Sequence, residues 1–385
     1  MNGVSNVPLL DLTRFDVEVE AQLNAVFAKV LKSGMYIMGP ELAAFETECA
    51  QVLGVKSALG VSSGTDALLL AMITLGIGAG DEVICPTFTF FATAGCVWRL
   101  GAKPVFVDSS LKDFNILTES VEDAITPRTK AMIPVHLYGQ CVDMDPLLQV
   151  ARRANVQVIE DSAQAIGATD RNRQAGSMGA FGCFSFFPTK NLGALGDGGL
   201  ITSNDSVLAA KARILRVHGG EPKYYHSLVG GNFRLDALQA ALLRIKLPRL
   251  EASTVRRKEN AKRYCAHLRD KKVGAPNQGQ TTADAPVLFP VAVQAHHTYN
   301  QFVLRVMDGK RDALRKHLNE RKIGTEIYYP LALHQQKCFA ELGHRAGAFP
   351  NAERLANEVL ALPIFPELTS DEIDYVVDAI AAFYR

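Results

Sequence analysis

Apolar runs and helical spacing take turns along residues 57 to about 205. The runs at 57–61, 82–85, 104–107, 131–135 and 156–159 are short and continuous, as buried strands are. Between them, 66–75, 89–100, 118–125 and 143–154 repeat apolar residues at helical intervals. This alternation predicts a mainly parallel sheet with helices on both faces. The rhythm then changes. Two strand-like runs, 183–187 and 199–202, are joined by a glycine-rich loop with no room for a helix, so the winding must depart locally from the simple pattern. Residues 234 to about 270 read as one helical region that Pro248 bends or breaks near its middle. Beyond about 285, strands at 298–306 and 324–328 and helices at 310–320, 352–360 and 370–383 describe a second, smaller α+β unit. Ser370 opens the last helix, with Glu372 in its first turn. A helical stretch at about 17–32 is expected to pack with that unit. The predicted division is 35–250 for the large unit, and 1–34 with 251–385 for the smaller.

Composition narrows the function without naming it. A chain of 385 residues is long for a single core, which agrees with two packed units. Forty-one basic residues balance 40 acidic ones, leaving a net charge of +1 and no global field for nucleic acid or an anionic membrane. The start, MNGVSNVPLLDLTRFDVEVE, lacks the basic and apolar regions of a secretory signal, and no long apolar run predicts a membrane span. The seven cysteines are scattered and form no CxxC pair, the usage of a reduced cytoplasmic protein. The nine histidines lack ligand spacing, and no metal site is predicted.

Four segments carry candidate chemistry. In SFFPTKNLGALGDGG, Lys190 stands between an aromatic strand and a run of glycines that lets backbone approach a ligand closely. A lysine desolvated there can lose its proton and form a Schiff base, although a lone lysine in such a loop is more often a surface residue. In VIEDSAQAIGA a strand ends in Glu160 and Asp161, whose side chains alternation sends to opposite faces. One of them can face a ligand at the carboxyl end of the sheet and hold a protonated ring nitrogen. In VSSGTDAL a strand passes through Gly64 into a helix whose free amides suit a phosphate. In CPTFTFF, Phe88 or Phe90 could lie flat on an aromatic cofactor, with core packing as the plainer use of either.

Together with GGNFRLDALQAALL, HTYNQFVLRV, IGTEIYYPLALHQQ and LALPIFPELT, these segments closely resemble the nucleotide-sugar aminotransferases of the DegT/StrS family. The resemblance runs from PLLDL near the start to Phe365. It implies a fold-type-I α/β enzyme that uses pyridoxal 5′-phosphate, with a mainly parallel seven-stranded sheet in the large domain and an obligate dimer with shared sites. It makes Lys190 the Schiff-base lysine and Asp161 the partner of the pyridine nitrogen. Gln164 falls on the ring hydroxyl side and Phe90 against the ring. Gly64, Thr65, Asp66 and Ser185 fall near the phosphate, and Asn232 reaches the phosphate of the neighbouring subunit, supported by Arg234. The donor implied is L-glutamate, and the acceptor a 3-keto or 4-keto sugar on a nucleotide, as in amino-sugar and polysaccharide biosynthesis.

Two positions depart from the family pattern. Ile166 and Tyr328 stand where the family often has histidine, which bears on the sugar more than on the cofactor. Related sugar dehydratases replace the Schiff-base lysine with histidine, and this chain keeps Lys190. Tyr225, Arg234, Tyr328 and His334 are the candidates for substrate contact, whereas His136 receives no role. Arg213 and Arg216 share a helical face of the kind usually solvated. The competing readings are another fold-type-I enzyme, a cofactor-binding regulator without turnover, and a purely structural protein. A desulfurase would need a marked catalytic cysteine, and none of the seven is marked.

Overall fold

The computed structural model describes residues 4–14, 16–294 and 296–385; residues 1–3, part of the start read above, lie outside them. Helix α1 (Val17–Ser33) is capped by Asp16, and α2 (Pro40–Leu53) begins on Pro40. Then follow β1 (Ser57–Val61), α3 (Gly64–Thr74), β2 (Glu82–Pro86), α4 (Ala92–Arg99), β3 (Lys103–Val107), β4 (Thr129–Met132), α5 (Met144–Ala154) and β5 (Gln157–Asp161). A two-residue pair, β6 (Thr169–Asp170) and β7 (Arg173–Gln174), precedes β8 (Phe181–Ser185), β9 (Gly199–Ser203) and α6 (Ser206–Leu215).

Seven strands form one sheet in the order β1-β9-β8-β5-β4-β2-β3. Among its pairings only those of β9 are antiparallel. That reversed strand is the departure the glycine-rich loop required. A return along the neighbouring strand needs only a loop, whereas a parallel return needs a crossover helix. The strands leave at one edge, so the segments after β1, β2, β4, β5 and β8 gather there.

The helical stretch after residue 234 divides as Pro248 demands. Helix α7 (Ala237–Lys246) ends in a single tight turn, Leu247–Arg249, and α8 (Leu250–Asp270) continues from it. The second sheet contains β10 (Gly274–Pro276), β11 (Val287–Phe289), β12 (Phe302–Val306) and, after α9 (Arg311–Glu320) and α10 (Pro350–Glu358), β13 (Val359–Leu362). Helix α11 (Ser370–Phe383) closes the chain. Tyr264, Leu268, Phe302, Leu304, Leu314, Leu318, Val376 and Ile380 make one apolar cluster joining α8, α9 and α11 to this sheet.

Several expectations need correction. Helix α1 does not pack with the smaller unit: its buried Val19 and Leu23 meet Leu242 of α7. Only the preceding segment joins that unit, through Val7 beside Ile323 and Arg14 bonded to Glu372 at 2.6 Å. Residues 118–125 form two three-residue turns, Thr118–Ser120 and Glu122–Ala124, because a stretch this short nucleates a helix poorly and Pro127 follows at once. Residues 324–328 contribute a single bridge, Glu326 to Ala361, since the Gly324 amide is spent on the Val7 carbonyl at 2.8 Å and Pro330 has no donor to continue a ladder. The helix expected to reach 360 stops at Glu358, and its apolar end, Val359–Leu362, pairs with β12 instead. The last helix is capped one residue early by Thr369, in a capping box with Glu372. Arg216 is not solvated. It is fully buried, ion-paired with Glu46 and bonded to the Gly60 carbonyl at 3.0 Å. Among the described residues no helix is long and apolar enough to cross a membrane.

Candidate active site

Strand β5 delivers its two terminal carboxylates to opposite faces, as period-two geometry requires. Glu160 turns toward the loop before β8. It accepts the amides of Gly176, Met178 and Gly179 at 2.8, 2.7 and 2.6 Å, and meets His136 Nε2 at 3.0 Å. The Val142 amide donates to His136 Nδ1, so the ring hydrogen sits on Nε2 and points at Glu160. Asp161 turns toward the carboxyl edge of the sheet. Its Oδ2 accepts from the Thr93 hydroxyl at 2.9 Å and its Oδ1 from the Ala163 amide at 3.2 Å. Burial pushes its carboxyl above the ordinary range, against these two bonds and the charge of Lys190.

Lys190 lies in the loop between β8 and β9. Its amide bonds the Phe187 carbonyl at 2.8 Å, and among the described residues its amine has no hydrogen-bond or ion-pair partner. Burial lowers its pKa to about 8, partly opposed by the Asp161 charge. The loop is held on both sides. Gly193 lies so close under the Pro188 carbonyl that a side chain would collide with it. Asn191 donates to the Thr298 carbonyl at 3.1 Å and accepts from Asn300 at 3.0 Å, tying the lysine's neighbour to the strand leading into the second sheet.

The turn from β1 into α3 makes the third wall. Ser63 caps the helix by accepting the Asp66 amide at 3.0 Å, which leaves the first-turn amides of Gly64 and Thr65 without intrahelical partners. A Cβ on Gly64 would lie 2.8 Å from that of Ser185, so glycine keeps this cradle open. Ser185 accepts the Phe187 amide at 3.3 Å and keeps its own proton to give. Asp66 spends its amide on the cap, and its carboxylate accepts from the Ser62 hydroxyl at 2.5 Å.

Gln164 and Phe90 meet at a residue the sequence reading missed. Gln164 accepts the Tyr138 amide at 2.7 Å and donates to the Tyr329 hydroxyl at 3.3 Å. The Phe90 ring lies 6.2 Å from that of Tyr329 and is 58% exposed, so a face is available for stacking. Burial, aided by Asp161, pushes the Tyr329 hydroxyl well above its usual range and keeps it a proton donor. The expected Tyr328 instead offers its carbonyl to the Tyr138 hydroxyl. The pair Tyr328-Tyr329 carries no signal in the sequence for which ring turns inward. Thr93, in the first turn of α4, was equally silent.

The remaining candidates lie elsewhere. Asn232 and Arg234 line a hollow of about 290 Å³ with Ser62, Asp197 and Gln239. This hollow shares no lining residue with the cleft of about 330 Å³ beside Lys190, whose wall includes Arg249 and Arg256. Tyr225 is exposed on the loop before Asn232. His334 does not serve the cleft: it is buried, with Nδ1 2.8 Å from the Thr87 hydroxyl and Nε2 3.1 Å from Glu353. Both its nitrogens are committed, so it is corrected to a structural histidine. Among the described residues no cluster of His, Cys, Asp or Glu could hold a metal.

The residues fit a phosphorylated aromatic aldehyde. They supply an unpartnered amine of lowered basicity, a buried carboxylate with remaining acceptor capacity, an open aromatic face and free amides at a helix start. The profile of the DegT/DnrJ/EryC1/StrS aminotransferase family matches residues 17–381. A relative from Geobacillus stearothermophilus, named a pleiotropic regulatory protein, is 45% identical over 99% of both chains. A UDP-N-acetyl-3-dehydro-α-D-glucosamine 3-aminotransferase from Acidithiobacillus ferrooxidans is 43% identical over 97% of both. The crystal structure of DesV from S. venezuelae in complex with a ketimine intermediate superposes with a TM-score of 0.92 at 40% identity, covering 99% of each chain.

Proposed function

This chain belongs to the DegT/DnrJ/EryC1/StrS aminotransferase family, and we propose that it moves an amino group from L-glutamate to the 3-keto group of a nucleotide-linked sugar. It is a fold-type-I aminotransferase dependent on pyridoxal 5′-phosphate. The observation that carries the reading is a buried Lys190 amine with no hydrogen-bond partner among the described residues, near enough to the buried Asp161 carboxylate for each to feel the other's charge. The cofactor supplies an electron sink when bound. The chain's own residues do the rest. Lys190 would hold the cofactor through its amine, and the same amine in its neutral form can move a proton at the substrate carbon. Asp161 keeps the ring nitrogen protonated. Gln164 orients the ring's hydroxyl side, Phe90 covers a face, and Gly64, Thr65 and Ser185 hold the phosphate. Tyr225 and Tyr328 remain candidates for the sugar side.

The choice of C3 follows the named activity of the A. ferrooxidans relative. An amination screen of nucleotide-linked 3-keto and 4-keto sugars with glutamate, read by mass, tests it. Product from the 3-keto substrate alone is expected, and product from the 4-keto substrate alone would reverse the assignment. The name of the G. stearothermophilus relative raises a second reading, a regulator without turnover. An unpartnered Lys190 amine argues for chemistry, and a glutamate-dependent change in cofactor absorbance separates the two.

The proposal includes a homodimer with shared sites. Asn232 and Arg234 open on a hollow separate from their own Lys190, and the Arg234 Nε is buried without a partner among the described residues. Tyr36, Ile37, Phe187, Leu195 and Tyr225 are exposed on the isolated chain, as an interface would leave them. The division at 35–250 is kept as part of this reading, with α1 moved to the large unit. The seven free cysteines, five of them buried, fit the reducing cytoplasm.

A further inference from the structure

We propose that Thr89 and Thr93 form a one-way hydroxyl relay that fixes the orientation and charge of Asp161, making Thr93 a positioning residue for the reaction. The inference rests on the role given to Asp161 above. Thr93 Oγ1 lies 2.9 Å from Asp161 Oδ2 and 3.2 Å from Thr89 Oγ1, and all three side chains are buried. An ionised carboxylate can only accept, so the Thr93 proton goes to Asp161. A hydroxyl has one proton to give, so Thr93 must accept from Thr89. The direction of the whole chain is thereby set.

The local fold explains why the relay forms. Thr89 lies in the bend that leads into α4 and Thr93 in the first turn of that helix, and the bend brings their hydroxyls together. Both are β-branched, so χ1 has few alternatives. With Oδ1 held by the Ala163 amide and Oδ2 by Thr93, the carboxylate cannot rotate without leaving a buried donor unmet. The other ionisable groups acting on Asp161 or feeling its charge are Lys190, His136, Tyr329, Cys96 and Cys183. None of them has a hydrogen bond to either Asp161 side-chain oxygen. Thr93 is therefore the one side chain among the described residues that is hydrogen-bonded to the carboxylate.

The test uses the holoenzyme. Thr93→Val keeps the shape and removes the donor. Its kcat should fall about tenfold with the KM for the nucleotide sugar within about twofold, because a bond to a buried charge is lost while the sugar side is untouched. The pH midpoint of the bound cofactor's visible absorbance should rise by about 0.5, since a ring less firmly protonated draws less charge from the Schiff-base nitrogen. Thr93→Ser should restore both readouts. An unmoved midpoint in folded Thr93→Val, or a serine variant that behaves like the valine, overturns the relay. Should Thr93→Val not fold, Thr89→Val carries the decision: it must shift the midpoint in the same direction by less, and no shift overturns the relay. A wild-type protein that takes up no cofactor defeats the functional reading itself, whereas a coloured wild type with unmoved variants defeats only this inference.

Discussion

Glu160 and Asp161 are chain neighbours at the end of one strand and meet opposite fates. Glu160 receives three amides and an imidazole N–H, which satisfies its oxygens almost completely. Asp161 receives one hydroxyl and one amide at equal depth in the protein. A fully bonded buried carboxylate fixes backbone; an incompletely bonded one keeps capacity for a ligand. The same contrast separates His334, with both nitrogens committed, from Lys190, whose amine has no hydrogen-bond or ion-pair partner among the described residues. In each pair the open group is the one with capacity left for a ligand, and the satisfied one is spent on the fold.

The contrast can be broken in order of effect. Lys190→Ala should abolish the cofactor's Schiff-base absorbance and lower turnover by about 10³–10⁴-fold, because nucleophile and proton carrier go together. Retained transamination in a steady-state assay would remove Lys190 from the chemistry. Asp161→Ala should keep some cofactor and lose about 10²–10³-fold in kcat, the cost of removing a preorganised charge partner. Its melting temperature should change little, and a large drop would make Asp161 a second Glu160.

A pH series sharpens the Lys190 side. Its pKa near 8 lies below the ordinary lysine value, so its neutral fraction grows as pH rises through 8. Cofactor coupling to the cofactor-free protein, followed by stopped-flow absorbance, should quicken about tenfold between pH 7 and 9 and then level. For stability the sign is the same. Below pH 8 the folded state carries a buried charge; above it the unfolded chain binds the extra proton, so stability of the cofactor-free protein rises with pH toward the unfolded value. A coupling rate that keeps climbing beyond pH 9 without levelling would mean an amine of ordinary basicity. The smallest effect on rate belongs to Glu160→Gln. It should destabilise the fold by about 2–4 kcal/mol in denaturant titration, while kcat per folded molecule stays within about threefold. A rate loss matching that of Asp161→Ala would erase the distinction between the two carboxylates.

Much of this site is legible before any coordinates. The split of Glu160 from Asp161 follows from strand periodicity alone, and the free amides of Gly64 and Thr65 follow from the small polar residues that start a helix. Other parts depend on distant partners. Thr93 matters because α4 lays it against β5, 68 residues away, and nothing local to FATAG announces that. Tyr329 and Tyr328 are chemically identical in sequence, and their roles divide only when Gln164 and Tyr138 arrive. Arg216 looked solvated because helical spacing shows which residues share a face but not what covers it; Glu46 of α2 covers this one. The short turns at 118–124 and the strand at 359–362 failed by length and by the boundary between two patterns, where periodicity is weakest.

The reversed strand β9 has one more consequence. Because it runs back along β8, the excursion from Phe186 to Gly198 leaves and re-enters the sheet at the same rim, with Gly199 packed so closely on Ser63 that a Cβ there would lie 2.5 Å from its backbone. Its two anchor points are neighbours, and no strand register depends on how many residues lie between them. That excursion is therefore a closed loop on one rim: Phe186, Leu192 and Ala194 sink into the core and clamp it, so Lys190 is presented from a short arch whose two feet stand on paired strands.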